Sequence, residues 1–213
     1  MGVLVVLAGV MLAVSGLFYL ILGRNRYGMP TRTRKQLTAG PGAGEAVVLK
    51  PEPCRIVRVY FVKPSRYDDD GYVLFFRWGV QPNNTLTVLA ALNDSFNKQF
   101  GAQRNVLLET VIWDEVCDGA VGPESITAII DKAREDGVEL LIGLAGVQSN
   151  QYPRGRDLAL QFVAHGLPTI MGGFHVSGYP QSREFLHSCG ITTAVGEAEN
   201  YWAELIEDYL DGK

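Results

Sequence analysis

Three consecutive aspartates, Asp68, Asp69 and Asp70, lie in the string KPSRYDDDGY (63–72), directly after the apolar run RIVRVYFV (55–62). Carboxylates gathered at a strand end are hard oxygen ligands suited to Mg²⁺, as in phospho-acceptor sites. That chemistry needs a further aspartate at the end of the third strand, and Ala145 and Gly146 stand there instead. A dinucleotide grip needs G-x-G-x-x-G after the first strand; it is missing, which argues against NAD. Read alone, the acidic run is a solvated loop with Asp70 and Gly71 as its turn.

Three other places carry residues able to meet a ligand. Gly146, Val147, Gln148, Ser149 and Asn150 combine small and amide side chains, which admit a flat molecule and offer neutral hydrogen bonds. Ser149 or Asn150 is equally suited to capping the helix that follows. Gly172 and Gly173 precede Phe174 and His175, and paired glycines allow close approach or a tight turn. His175 has no second His or Cys at ligand spacing, so a hydrogen-bonded loop histidine is the better reading than a metal ligand. Gly196 and Glu197, with Glu199, open the last helix, where the macrodipole favours acids whatever their role. Cys54, Cys117 and Cys189 form no C-x-x-C and cannot close a complete disulfide set.

These residues need a scaffold. After the strand at 55–62, Leu86, Leu89, Leu92 and Phe96 recur at helical spacing and predict a helix over 85–100. NVLLETVIW (105–113) reads as the second strand. A helix starts at Pro123 and ends near Gly137. VELLIGLAG (138–146) is the unbroken apolar run of a strand buried on both faces. A helix over 154–165, a strand at 167–173, a short helix over 182–188, a strand at 191–195 and a helix over 198–210 complete the chain. Alternating strands and helices imply an α/β fold, expected to be a doubly wound five-stranded parallel sheet of flavodoxin-like order 2-1-3-4-5. Such sheets bind ligands beyond the carboxyl ends of their strands. All the candidate residues fall there.

Residues 3–22 (VLVVLAGVMLAVSGLFYLIL) are uncharged and long enough to cross a bilayer as one transmembrane helix. Arg24, Arg26, Arg32, Arg34 and Lys35 follow, so the remainder is expected in the cytoplasm by the positive-inside rule. A cleaved signal peptide would want a basic flank before the apolar run, and none is present. The expected organisation is a membrane helix at 1–23, a basic and then Gly/Pro-rich linker at 24–54, and the α/β domain at 55–213. A net charge of −4 argues against a nucleic-acid partner.

Taken in order, KPSRYDDDGY, GLAGVQSNQYPR, GGFHVSG and GEAE resemble the N-terminal cobalamin-binding-type domain of a radical-SAM family over residues 55–210. The resemblance implies a corrin lying across the strand ends. It would be met by Ser65, Arg66, Tyr67, Asp70, Gly71 and Tyr72, and by the loops of Gly146 to Asn150, Gly172 to His175, and Gly196 and Glu197. Its nucleotide tail would run beside the sheet toward Gly172 and Gly173. Two departures from the family shape the expectation. Many cobalamin domains place D-x-H-x-x-G after the first strand, and this chain has no histidine there, so cobalamin would bind without a protein histidine ligand. The C-x3-C-x2-C motif that holds a 4Fe–4S cluster is absent, so no such cluster is expected in this chain, and a separate radical-SAM catalytic chain is the implied partner. The competing readings are a membrane-anchored enzyme acting through the loop of Asp68, Asp69 and Asp70, and an interaction domain that binds no cofactor.

Overall fold

The computed structural model describes residues 54–75 and 84–213. The expected membrane helix and linker lie outside the described residues, apart from Cys54. Among those described, no helix is long and apolar enough to cross a membrane.

The first strand, β1 (Arg55–Lys63), leads through a loop toward helix α1 (Asn84–Phe96), which widens into a π-helical turn (Asn97–Gly101). Strand β2 (Val106–Asp114) runs straight into a one-turn helix, α2 (Glu115–Asp118), followed by α3 (Pro123–Asp136) and β3 (Glu139–Leu144). Then come α4 (Tyr152–Ala164), β4 (Thr169–Gly172), α5 (Phe174–Gly178), α6 (Pro180–Ser188) and β5 (Thr192–Ala194). A 3-10 turn (Ala198–Asn200) and α7 (Trp202–Leu210) close the chain. All pairings are parallel and the order is β2-β1-β3-β4-β5, the doubly wound arrangement expected from the alternation of elements.

Strand β1 sits between β2 and β3 and is buried on both faces. Val57, Val59 and Phe61 point to the side covered by α1 and α7, while Tyr60 and Val62 point to the side covered by α3 and α4. This is the two-residue period of a strand. Each fully buried Val or Phe contributes roughly 1.5–3 kcal/mol of transfer free energy. On the α1 face, Leu86, Leu89, Asn93 and Phe96 are the buried residues of the helix. Asn93 is wholly buried yet satisfied, donating to Thr110 Oγ1 at 2.9 Å and accepting from Trp202 Nε1 at 2.9 Å. Phe61 packs on Trp202 with ring centroids 5.5 Å apart. Gly143 of β3 makes room for that ring, since a Cβ there would lie 2.9 Å from Phe61 Cδ1.

Helix α3 begins at Pro123 and stops at Gly137, whose left-handed backbone (φ 65°) donates to the carbonyls of Ala133 and Arg134. The helix expected over 154–165 starts two residues earlier, at Tyr152. The helix expected over 198–210 is broken at Tyr201, between the 3-10 turn and α7. Helices α2 and α5 are too short for a periodic pattern to announce them. At the outer strand, the π-turn side chain of Asn97 accepts from Leu108 N and donates to Leu108 O, both at 2.8 Å.

Candidate functional site

Beyond the carboxyl ends of the strands, the loops after β1, β3, β4 and β5 are tied to one another and to the helices behind them. The segment after β1 folds into a small hairpin. Tyr67 bridges Val73 in antiparallel fashion, Asp68 N donates to Tyr72 O at 2.8 Å, and Leu74 N donates to Arg66 O at 2.9 Å. Asp68 Oδ1 accepts from the backbone N–H groups of Asp70 (3.0 Å) and Tyr72 (2.8 Å). This Asx-type turn spends the Asp68 carboxylate on backbone geometry. Among the described residues, no group of three or more His, Cys, Asp or Glu is placed to hold a metal ion.

A buried ion pair lies beneath this hairpin. Glu115 is fully buried and accepts from Ser65 N (3.0 Å), Val121 N (2.8 Å), and Nε (3.1 Å) and Nη2 (2.6 Å) of Arg154. Arg154 Nη2 also donates to Val121 O at 2.6 Å, and its guanidinium lies 5.8 Å from the centroid of the Tyr67 ring. Burial by itself lowers the Arg154 pKa. The hydrogen bond and charge of Glu115, with Tyr67 adding to them, more than offset this, so the net displacement is upward. The ring of Tyr67 is fixed in turn by its hydroxyl donating to Asp157 Oδ2 at 2.9 Å. Ser65 is 2% exposed and donates to Leu74 O at 2.6 Å, and Gln151 Nε2 donates to Pro64 O at 2.9 Å. Ser65 therefore holds the hairpin from inside, while Arg66, Asp70, Gly71 and Tyr72 are presented outward.

After β3, Val147 N donates to Gly172 O and Val147 O accepts from His175 N, both at 3.0 Å. The Val147 side chain is buried in the core, whereas Gln148, Ser149 and Asn150 are exposed. Neither Ser149 nor Asn150 caps α4. Gln151 occupies the cap position without a side-chain cap bond, and its Oε1 accepts from Gln148 N at 3.2 Å. Ser149 Oγ instead meets His175 Nδ1 at 3.1 Å, while His175 Nε2 meets Ser182 Oγ at 2.8 Å. The imidazole stacks on Tyr152 with centroids 4.0 Å apart, and burial lowers its pKa. Both ring nitrogens are engaged by hydroxyls, and His175 lies in the short helix α5 rather than in a loop.

Gly172 ends β4 and Gly173 follows it. They were expected to leave space for a ligand tail, but the protein fills that space itself. A Cβ on Gly173 (φ +131°) would lie 2.2 Å from Val147 N, and one on Gly172 would lie 3.2 Å from Ala194 Cβ. Gly173 is there so that two backbone segments can cross, and Gly172 so that β4 can sit against β5. Phe174 turns outward and is 79% exposed. After β5, Gly196 N donates to Ser177 Oγ at 3.0 Å, and the Glu197 side chain is exposed. Gly146 lies against Thr85 at the start of α1, with a contact of 3.4 Å to the position of an added Cβ.

Sequence reasoning missed Glu115, Arg154, Gln151 and Ser182, all of which hold the site from behind. One sign of the ion pair was readable: Arg154 sits in the first turn of α4, where the macrodipole disfavours a cation unless an acid is close by. Of the large apolar side chains left exposed, Tyr72 and Phe75 follow β1, Phe174 follows β4 and Val195 follows β5. The rim therefore presents apolar side chains among exposed amides, one arginine and the carboxylates of Asp69, Asp70 and Glu197. Comparison with protein-family models, curated proteins and solved structures gives no match to this chain.

Proposed function

We propose that residues 55–213 are a cobalamin-binding-type module of a split or truncated cobalamin-dependent radical-SAM protein. In this reading residues 3–22 anchor it in a membrane and the domain lies on the cytoplasmic side. The observation that carries the proposal is the exposure of Tyr72, Phe75, Phe174 and Val195 at the strand ends, where doubly wound sheets bind ligands. Apolar side chains on loops already fixed by hydrogen bonds suit a large flat ligand, because little ordering remains to be done on binding.

The residues fit the group in part. Tyr72, Phe174 and Val195 would cover the corrin face, with Gln148, Asn150 and Arg66 offering polar contacts. The filled space at Gly172 and Gly173 does not suit a nucleotide tail. His175, held between Ser149 and Ser182, would stay out of the cobalt coordination sphere. Bound cobalamin would supply a cobalt centre for alkyl transfer. Cleavage of S-adenosylmethionine would fall to a partner chain carrying the 4Fe–4S cluster.

Titration of the full-length chain with hydroxocobalamin, followed by absorption and by co-elution on a sizing column, tests this. Saturable binding is expected, weakened about tenfold by Phe174→Asp, which loses roughly the 1.4 kcal/mol of an apolar contact. His175→Ala should leave the bound spectrum unchanged. Absence of binding sinks the proposal. The filled glycine positions favour a second reading in that event, an interaction domain whose exposed aromatic rim meets protein. The reading as an enzyme acting through Asp68, Asp69 and Asp70 is disfavoured by the use of Asp68 in the turn.

A further inference from the structure

A shallow groove of about 540 Å³ runs between α7 and strands β4 and β5, a volume within the range of small-molecule sites. It includes Pro168, Thr169 and Thr192 at the starts of the strands, so it lies beside the sheet and is distinct from the rim at the strand ends. Leu141, Ile170 and Leu205 give it an apolar lining. Glu204, Leu205 and Asp208 of α7, with Tyr201 just before the helix, form one wall. The charges there are unbalanced. Asp208 is paired with Lys213 Nζ at 3.1 Å, and the same ammonium reaches Asp211 at 3.3 Å. Glu204 is exposed and has no ion-pair or hydrogen-bond partner among the described residues. In the same wall, the Tyr201 hydroxyl is closed off from solvent and has no hydrogen-bond partner among the described residues. Burial, and then the carboxylates of Glu197 and Glu199, push its pKa upward, so it is a neutral phenol.

We infer that this groove binds a protonated amine or amidine carried on a flat apolar body, which rests against Ile170 and Leu205 with its cation on Glu204. An anion of the same shape is opposed by Glu204, while the groove's one ammonium, that of Lys213, is already shared between Asp208 and Asp211. A neutral one leaves the carboxylate of Glu204 without a partner. The inference is independent of cobalamin binding, since it uses none of the rim residues.

The probe is benzamidine, titrated into the ¹⁵N-labelled full-length chain beside benzamide and benzoate. Benzamidine should saturate and shift the backbone amides of Thr192, Thr193 and Leu205, binding at least about tenfold more tightly than benzoate. Glu204→Gln, at an exposed site where the fold is indifferent, should weaken benzamidine about tenfold toward the benzamide level. Thr192→Trp, which fills the groove from its exposed edge, should abolish the shifts while the remaining amide spectrum is retained. The inference is overturned if benzamidine does not saturate, if benzoate binds as well, or if Glu204→Gln changes nothing. It is equally overturned if the shifted amides belong to the acidic hairpin at Asp68, Asp69 and Asp70.

Discussion

The hairpin after β1 and the turn after β4 close the same end of the sheet by different physics. The hairpin is held by side chains. Glu115 and Arg154 form a buried ion pair under it, Ser65 and Gln151 clip its base, and Asp68 shapes its tip. The turn is held by backbone against backbone, with Gly173 crossing Val147 too closely for any side chain. Side-chain anchoring can be rewritten, because a buried pair can be exchanged for another group of similar volume. Backbone anchoring has no substitute, because nothing smaller than glycine exists. One rim thus joins a replaceable support to an irreplaceable one.

The contrast is open to test at both ends, and the largest effect is expected at Gly173. Gly173→Ala places a Cβ 2.2 Å from Val147 N at a φ of +131°, and should cost at least about 4 kcal/mol in denaturant unfolding. A loss below about 1 kcal/mol would mean that the crossing is not tight. Glu115→Ala leaves a buried guanidinium without its acid and should cost about 3–5 kcal/mol. The pair Glu115→Leu with Arg154→Met removes the stranded guanidinium but leaves the N–H groups of Ser65 and Val121 without an acceptor, so it should recover only part of that loss. A double variant no more stable than Glu115→Ala would remove the distinction between the two supports. Asp68→Ala, which frees two backbone N–H groups at the exposed hairpin tip, should cost about 1 kcal/mol. Hydrogen exchange should then quicken at Asp70 and Tyr72 while the amides of Val147 and His175 keep their protection.

The smallest effect concerns pH. Burial depresses the folded pKa of His175 below its ordinary value of 6.5, so the unfolded chain takes up the proton first as pH falls. Stability is therefore full above about pH 6.5 and declines below it, through the folded pKa. The groups facing the imidazole are the neutral hydroxyls of Ser149 and Ser182 and the rings of Tyr152 and Tyr179. His175→Gln should flatten the part of the stability profile that lies below pH 6.5. An unchanged slope would assign it to other groups.

The five strands were legible in the sequence because burial writes itself into local pattern. The unbroken run at 138–146 and the β-branched run at 55–62 have few other uses. The helix framed by Pro123 and Gly137 was equally plain. The site was legible in position, since the strand ends could be counted, but only partly in role. Val147 and Ser65 read as ligand-facing because small and hydroxyl residues in a loop do not reveal which way they turn. Glu115 was not singled out at all. Its partner lies 39 residues away, and a contact that spans two elements leaves no trace in the spacing of either one. Gly172 and Gly173 were marked as special correctly, but the reason for Gly173 is a crossing strand end that no local reading could supply.

Asn97 has a consequence for how the molecule behaves among its own copies. Strand β2 is nine residues long and forms one margin of the sheet, and a bare margin of that length is a template for recruiting a further strand. By engaging both the N–H and the carbonyl of Leu108, one amide side chain stands in for a neighbouring strand. A second copy laid along β2 would have to evict that amide before its own ladder could continue. The π-helical widening after α1, which puts the amide in reach, therefore blocks strand addition at this one point of the margin.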